Sequence, residues 1–198
     1  MLLTGLKEKY NTHFTQGNLN NHIGVPITLI RIEEGCEAVV CEMGMSGKGE
    51  IEYLTGLVRP NLAVITNIGT MHIEHLGSQE GILKAKMEIV EGMGNNGVLV
   101  LNGDDALLQT QRNATDKKVV YFGNQNQTND VLGYHVKQEE SVLSFDVKAE
   151  NTDRRKATHL HVFSNVRHCK KTTPTNSPEP AFIRFFILLF ARYILPLQ

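Results

Sequence analysis

At 198 residues, with 41% hydrophobic and 21% charged residues, the chain can bury a real core and has the composition of a globular protein. A formal net charge of −1 excludes a global field that would gather nucleic acid or acidic lipid. Three cysteines, Cys36, Cys41 and Cys169, form neither a disulfide framework nor a metal spacing, and "MLLTGLKEKY" is too short and too charged for a secretory core, so a reducing cytoplasm is expected.

In chain order, "EAVVCEMG" is a short apolar run bounded by glycine, which predicts a buried strand carrying Cys41 as a small apolar group. "GEIEYLTGLV" places Ile51, Leu54, Leu57 and Val58 at helical spacing, and Arg59-Pro60 stops it. "LAVITNI" reads as the second strand. "QEGILKAKMEIVEGM" reads as one helix closed by Gly92, with Ile82, Leu83, Met87, Ile89 and Val90 to one side. "GVLVLNGDD" is the third strand, "DDALLQTQ" a helix with Asp at its N-terminus, and "KKVVYFG" the fourth strand. "DVLGYHVKQ" and "SVLSFDVKAE" alternate with period two and predict an antiparallel pair at the sheet edge.

Strands alternating with helices predict an α/β fold, a doubly wound and mostly parallel sheet. Strands at Val39–Glu42, Ala63–Thr66, Val98–Leu101 and Val119–Phe122 are expected in one sheet, with their carboxyl ends on a common edge. The chain divides near Asn151. Residues 1–150 carry 12 Lys+Arg and 19 Asp+Glu, whereas residues 151–198 carry 8 and 2. The second part also holds the "TTPTNSPEP" cluster and ends in "AFIRFFILLFARYILPL", which is too short and Arg-interrupted for a membrane span. It reads as an atypical tail, disordered or frameshifted.

In an open α/β sheet, ligands bind beyond the carboxyl ends of the strands. Glu42 closes the first strand, Asn67 and His72 follow the second, and Asn102, Asp104 and Asp105 follow the third. A carboxylate, an imidazole and carboxylate-rich turns suit a divalent metal with phosphate. Each has a plainer reading. Glu42 could cap its loop, Asp104 and Asp105 could cap a helix, and Lys86 could snorkel from its helix. His72 and His75 form a His-x-x-His pair with no third zinc ligand in view, and "SGKGE" lacks the Gly-x4-Gly-Lys-Ser/Thr spacing of a phosphate loop.

"TQGNLNNHIGVPITL", "EMGMSGKGEI", "RPNLAVITNIGTMHIEHLGS", "ILKAKMEIVEGM" and "VLNGDD" together resemble the central ATPase domain of the Mur ligases, in the family's order, over about residues 1–150. The resemblance implies an ATP-dependent, amide-forming ligase of peptidoglycan synthesis. It would activate the carboxylate of UDP-N-acetylmuramoyl-tripeptide as an acyl phosphate, which the amine of D-alanyl-D-alanine then attacks. ATP and Mg2+ are the implied cofactors. Glu42 and His72 match the family's magnesium-binding residues, and Lys86 matches the lysine carried as a carbamate. Asn18, Asn20 and Asn21 match a loop facing the muramyl substrate, and Asn67, Asn102 and Asp104 fall where nucleotide is bound. The family's phosphate loop and its adenine-side element have no counterpart between Met1 and Gln198, and the likeness ends near Asn151. A catalytically silent remnant, another Mur ligase and a folylpolyglutamate synthase-like ligase stand as the other readings.

Overall fold

The computed structural model describes residues 6–139, 142–149 and 158–160. Its elements run β1 (Thr12–Phe14), α1 (Gly24–Ile30), β2 (Ala38–Val40), α2 (Glu50–Val58), β3 (Leu62–Ile65), α3 (Ile73–Leu76), α4 (Gln79–Met87), a 3-10 turn η1 (Glu88–Gly92), β4 (Val98–Asn102), α5 (Ala106–Gln109), β5 (Lys118–Gly123), β6 (Val131–Glu139), β7 (Val142–Ala149) and β8 (Thr158–Leu160).

Six strands form one sheet in the order β3-β4-β5-β6-β7-β8. The first four are parallel, with Ile65 opposite Leu101 and Leu101 opposite Tyr121. β6 and β7 are antiparallel, as their alternation predicts, and β8 adds antiparallel to β7. The β5–β6 ladder begins at Phe122 opposite Val131, so β6 starts level with the end of β5 and continues past it. The mostly parallel α/β class predicted from the sequence holds.

The strand at Val39–Glu42 does not join this sheet. β2 pairs with β1 in a separate two-stranded parallel ladder, and Thr15 extends it with a bond from its backbone N–H to the Val40 carbonyl at 3.0 Å. This corrects both the expected four-strand sheet and the burial assigned to that run. β2 is only half-buried, Val39 is 41% exposed, and Cys41 is half-buried rather than sealed in a core. A short apolar run cannot by itself say which strand it pairs with; β1, "THF", was too short to register as a partner.

The core sits on one face of the large sheet. Ala63, Ile65, Leu99, Leu101 and Tyr121 pack with Ile51 of α2, Ile82, Leu83 and Ala85 of α4, Ile89 of η1 and Leu108 of α5. The predicted long helix breaks into α4 and η1. The Thr55 hydroxyl of α2 donates to the Ile89 carbonyl at 2.9 Å, just past the break. A side chain at Gly92 would lie 2.2 Å from the Thr55 carbonyl oxygen, so only glycine permits this closeness. α2 ends at Arg59-Pro60, as the sequence predicts, with Arg59 in a left-handed conformation.

No helix among the described residues is long and apolar enough to cross a membrane. The apolar run expected at 181–197 lies outside the described residues, as does most of the tail.

Candidate active site

Parallel register puts the carboxyl ends of β3, β4 and β5 on one edge of the sheet, so the turns carrying Asn67–His72 and Asn102–Asp105 are neighbours. One hydrogen-bonded group forms there, and a second forms at the end of β2, outside this sheet.

The first joins the turn after β3 to α4 and to the turn after β4. Lys86 Nζ donates to the Asn67 carbonyl oxygen at 2.6 Å. The Asp105 carboxylate accepts from the backbone N–H of Ile68 at 2.9 Å and caps α5 through Leu107 and Leu108. Burial pushes the Lys86 ammonium below its ordinary value of 10.5, and the charge of Asp105 pulls it partly back. A partly buried lysine held by a carbonyl, with its proton made easier to lose, is not a snorkelling surface lysine.

The second group surrounds Glu42. Its backbone N–H donates to the Thr15 hydroxyl at 2.9 Å, and Oε1 accepts from Asn20 Nδ2 at 2.9 Å. The Asn20 carbonyl in turn accepts from Gly44 N–H at 2.8 Å. Glu42 is exposed, so its carboxylate faces solvent while its backbone is fixed. Asn18 is exposed in the same loop. Asn21 is occupied locally: its side-chain oxygen accepts from Ile23 and Gly24 at the start of α1.

Other predicted residues have structural duties. Asn102 is buried, and its side-chain oxygen accepts from Asp104 N–H at 3.0 Å. Asp104 accepts from the N–H groups of Asn124, Gln125 and Asn126 and from Asn129 Nδ2, which organises the turn between β5 and β6. His72 opens α3 in a left-handed backbone conformation, φ 65°, sparsely used by residues other than glycine. His75 points to Glu74 at 3.8 Å, both exposed. Among the described residues no group of three or more His, Cys, Asp or Glu side chains converges, so the His72/His75 pair has no ready-made zinc cage.

Two positions were missed or underweighted from sequence. Asp105, next to the chosen Asp104, is the carboxylate that ties the turn after β4 to the turn after β3, through Ile68 N–H. Glu88 bridges to the turn before α2, accepting from Gly49 N–H at 2.9 Å and from Glu52 N–H at 3.3 Å. The adjacency of "DD" concealed which aspartate bonds to the turn after β3, and no local pattern signals a contact across 39 residues.

The Mur ligase middle domain family matches residues 1–166. The chain belongs to the Mur ligase middle domain family. Among curated relatives, the UDP-N-acetylmuramoyl-tripeptide–D-alanyl-D-alanine ligase of Bacillus subtilis is 45% identical over 153 residues, covering 77% of this chain and 33% of the relative. The enzyme of that name from Escherichia coli is 35% identical over 170 residues, covering 85% of this chain and 32% of its own length. The crystal structure of MurF from Acinetobacter baumannii superimposes with a TM-score of 0.74 at 28% identity, covering 83% of this chain and 35% of that one. MurF from Thermotoga maritima, solved in complex with ADP, gives 0.67 at 29% identity, covering 75% and 34%. The chain therefore spans about a third of the length of these relatives. The matched stretch runs past Asn151.

Proposed function

We propose that this chain supplies the metal and acyl-phosphate side of a D-alanyl-D-alanine-adding ligase acting on UDP-N-acetylmuramoyl-tripeptide in the cytoplasm, with ATP as the activating nucleotide. The observation that carries this reading is the state of Lys86: desolvated, with a lowered proton affinity, and fixed on the turn after β3. A lysine must be neutral to add to CO2. Once the ammonium has lost one proton, the addition forms an N–C bond, releases a second proton and leaves a two-oxygen anionic group where a cation stood.

The residues fit Mg2+. Exposed Glu42 offers a carboxylate held at one oxygen by Asn20, and Mg2+ keeps most of its waters while taking one or two carboxylates. Glu42, His72 and the carbamate of Lys86 would hold it. Bound there, Mg2+ would neutralise charge on the transferring phosphoryl group. Lys86, as an ammonium, would repel the ion; as a carbamate it would attract it. Asn20 orients Glu42, and Asn18 and Asn21 form the loop facing the muramyl substrate. Asn67 borders the nucleotide, with Asn102 and Asp104 shaping the wall beside it.

Within Met1–Gln198 no Gly-x4-Gly-Lys-Ser/Thr run supplies backbone N–H groups for a triphosphate. The 198-residue polypeptide tested alone is therefore read as weak toward ATP and silent in turnover. Calorimetry with Mg2+ on the native chain, Glu42→Ala and His72→Ala tests the metal reading. The expected result is a binding heat that both substitutions remove. Unchanged heat in Glu42→Ala would count against it. Phosphate release with ATP, the muramyl tripeptide and D-alanyl-D-alanine tests the second point; turnover would direct attention to Ser46–Glu50 as a substitute phosphate loop.

A further inference from the structure

We infer that Glu88 is a positioning residue that holds the Glu42 turn in register with Lys86, an inference that rests on reading Glu42 as the metal carboxylate. The turn from Glu42 leads through "MGMSGKG" into α2, whose N-cap is Gly49 in a left-handed conformation. Gly49 has no side chain to satisfy the open N–H groups of the helix start. Glu88 takes that role from another element. Both of its oxygens accept from Gly49 N–H, at 2.9 and 3.0 Å, and one accepts from Glu52 N–H at 3.3 Å. Ser46 N–H is held within the turn by Glu50 at 2.7 Å.

Glu88 follows Lys86 by two residues, where α4 becomes η1. One short segment thus grips two turns at once: Lys86 holds Asn67 after β3, and Glu88 holds Gly49 before α2. Since β2 does not ladder with β3, no backbone bond between those strands fixes their turns relative to each other. The segment itself is anchored separately. Thr55 bonds to Ile89, and Gly92 lies against the Thr55 backbone. Removing the Glu88 carboxylate therefore leaves η1 seated on α2 and loosens only the turn leading back to Glu42.

The test uses Mn2+ as the probe on the 198-residue chain, read by calorimetry, with hydrogen exchange at the Gly49 and Glu52 amides read by NMR. Glu88→Ala should speed exchange at Gly49, leave Ile89 protected, and weaken Mn2+ binding about tenfold, the scale of an outer contact that orients a metal ligand. Glu88→Gln removes the charge but keeps an oxygen that accepts from Gly49, so it should recover part of the affinity. Recovery separates positioning from simple charge attraction, and equal loss in Gln and Ala overturns the inference. So does faster Gly49 exchange with unchanged Mn2+ affinity, which would leave Glu88 only a helix cap. If Glu88→Ala does not fold, Glu88→Gln decides, and either faster Gly49 exchange with native Mn2+ affinity or native Gly49 exchange with weakened Mn2+ affinity in that variant overturns the inference. Mn2+ binding that Glu42→Ala does not weaken overturns the metal reading and this inference together; loss in Glu42→Ala with none in Glu88→Ala overturns this inference alone.

Discussion

The two sheets treat their polar strand-end residues differently. In the six-stranded sheet the strand β4 is sealed: Leu99, Val100 and Leu101 have no exposed surface. The polar residues that follow β4 are correspondingly consumed by the fold. Asn102 holds Asp104, Asp104 holds the β5–β6 turn, and Asp105 caps α5. Around the two-stranded sheet Val39 is 41% exposed, and Glu42 keeps its carboxylate in solvent. Standing at the end of a strand is therefore not enough to make a ligand. What matters is whether the fold has already used the oxygen atoms.

The largest expected effect probes the sealed sheet. Phe122 is 1% exposed, and Phe122→Ala should cost about 4 kcal/mol, against less than about 1 kcal/mol for Val39→Ala, by denaturant unfolding. Similar losses at the two positions would erase the contrast between the sheets. Next, Asp104→Ala should cost about 3 kcal/mol, because it strands three backbone N–H groups and the Asn129 amide together. A nucleotide-facing aspartate with no structural duty would instead unfold at the native denaturant midpoint.

Gly92→Ala should cost about 2 kcal/mol, since the added carbon meets the Thr55 backbone at 2.2 Å. Glu42→Ala should stay within about 0.5 kcal/mol of the native stability, as expected of an exposed side chain. A large loss there would mean that Glu42 is structural, against its assignment as a ligand.

The smallest effect is a pH dependence. Lys86 has a lower proton affinity folded than unfolded, so between its folded value and 10.5 the unfolded chain binds more protons. Stability contributed by this group therefore rises with pH across that window, and its penalty is fully present below it. Lys86→Met should flatten that rise in urea midpoints measured from neutral pH upward. An unchanged slope would show that the amine is not desolvated.

Much of this was legible in the sequence. The apolar runs at Leu62–Ile65, Val98–Asn102 and Lys118–Gly123, and the period-two pair after Asp130, gave the parallel sheet and its antiparallel extension, because burial patterning is local. Pairing is not local, so β2 was placed in the wrong sheet and β1 and α1 went unread. Where α4 breaks at Glu88, the next residue, Ile89, bonds to Thr55, 34 residues away. The same limit governs the site. Glu42, His72 and Lys86 could be chosen by strand ends and by resemblance. That Asp105 rather than Asp104 holds the turn after β3, and that Glu88 grips Gly49, follows only from how the turns meet in space.

The most direct measurement of the central claim, that Glu42 and a carbamylated Lys86 share one metal site, is 13C NMR of the chain in 13C-labelled bicarbonate with Mn2+ added. A carbamate resonance should appear at alkaline pH, vanish in Lys86→Met, and be broadened by Mn2+ in the native chain but far less in Glu42→Ala. A carbamate that Mn2+ broadens equally in both proteins, or no Lys86-dependent carbamate at all, would contradict it.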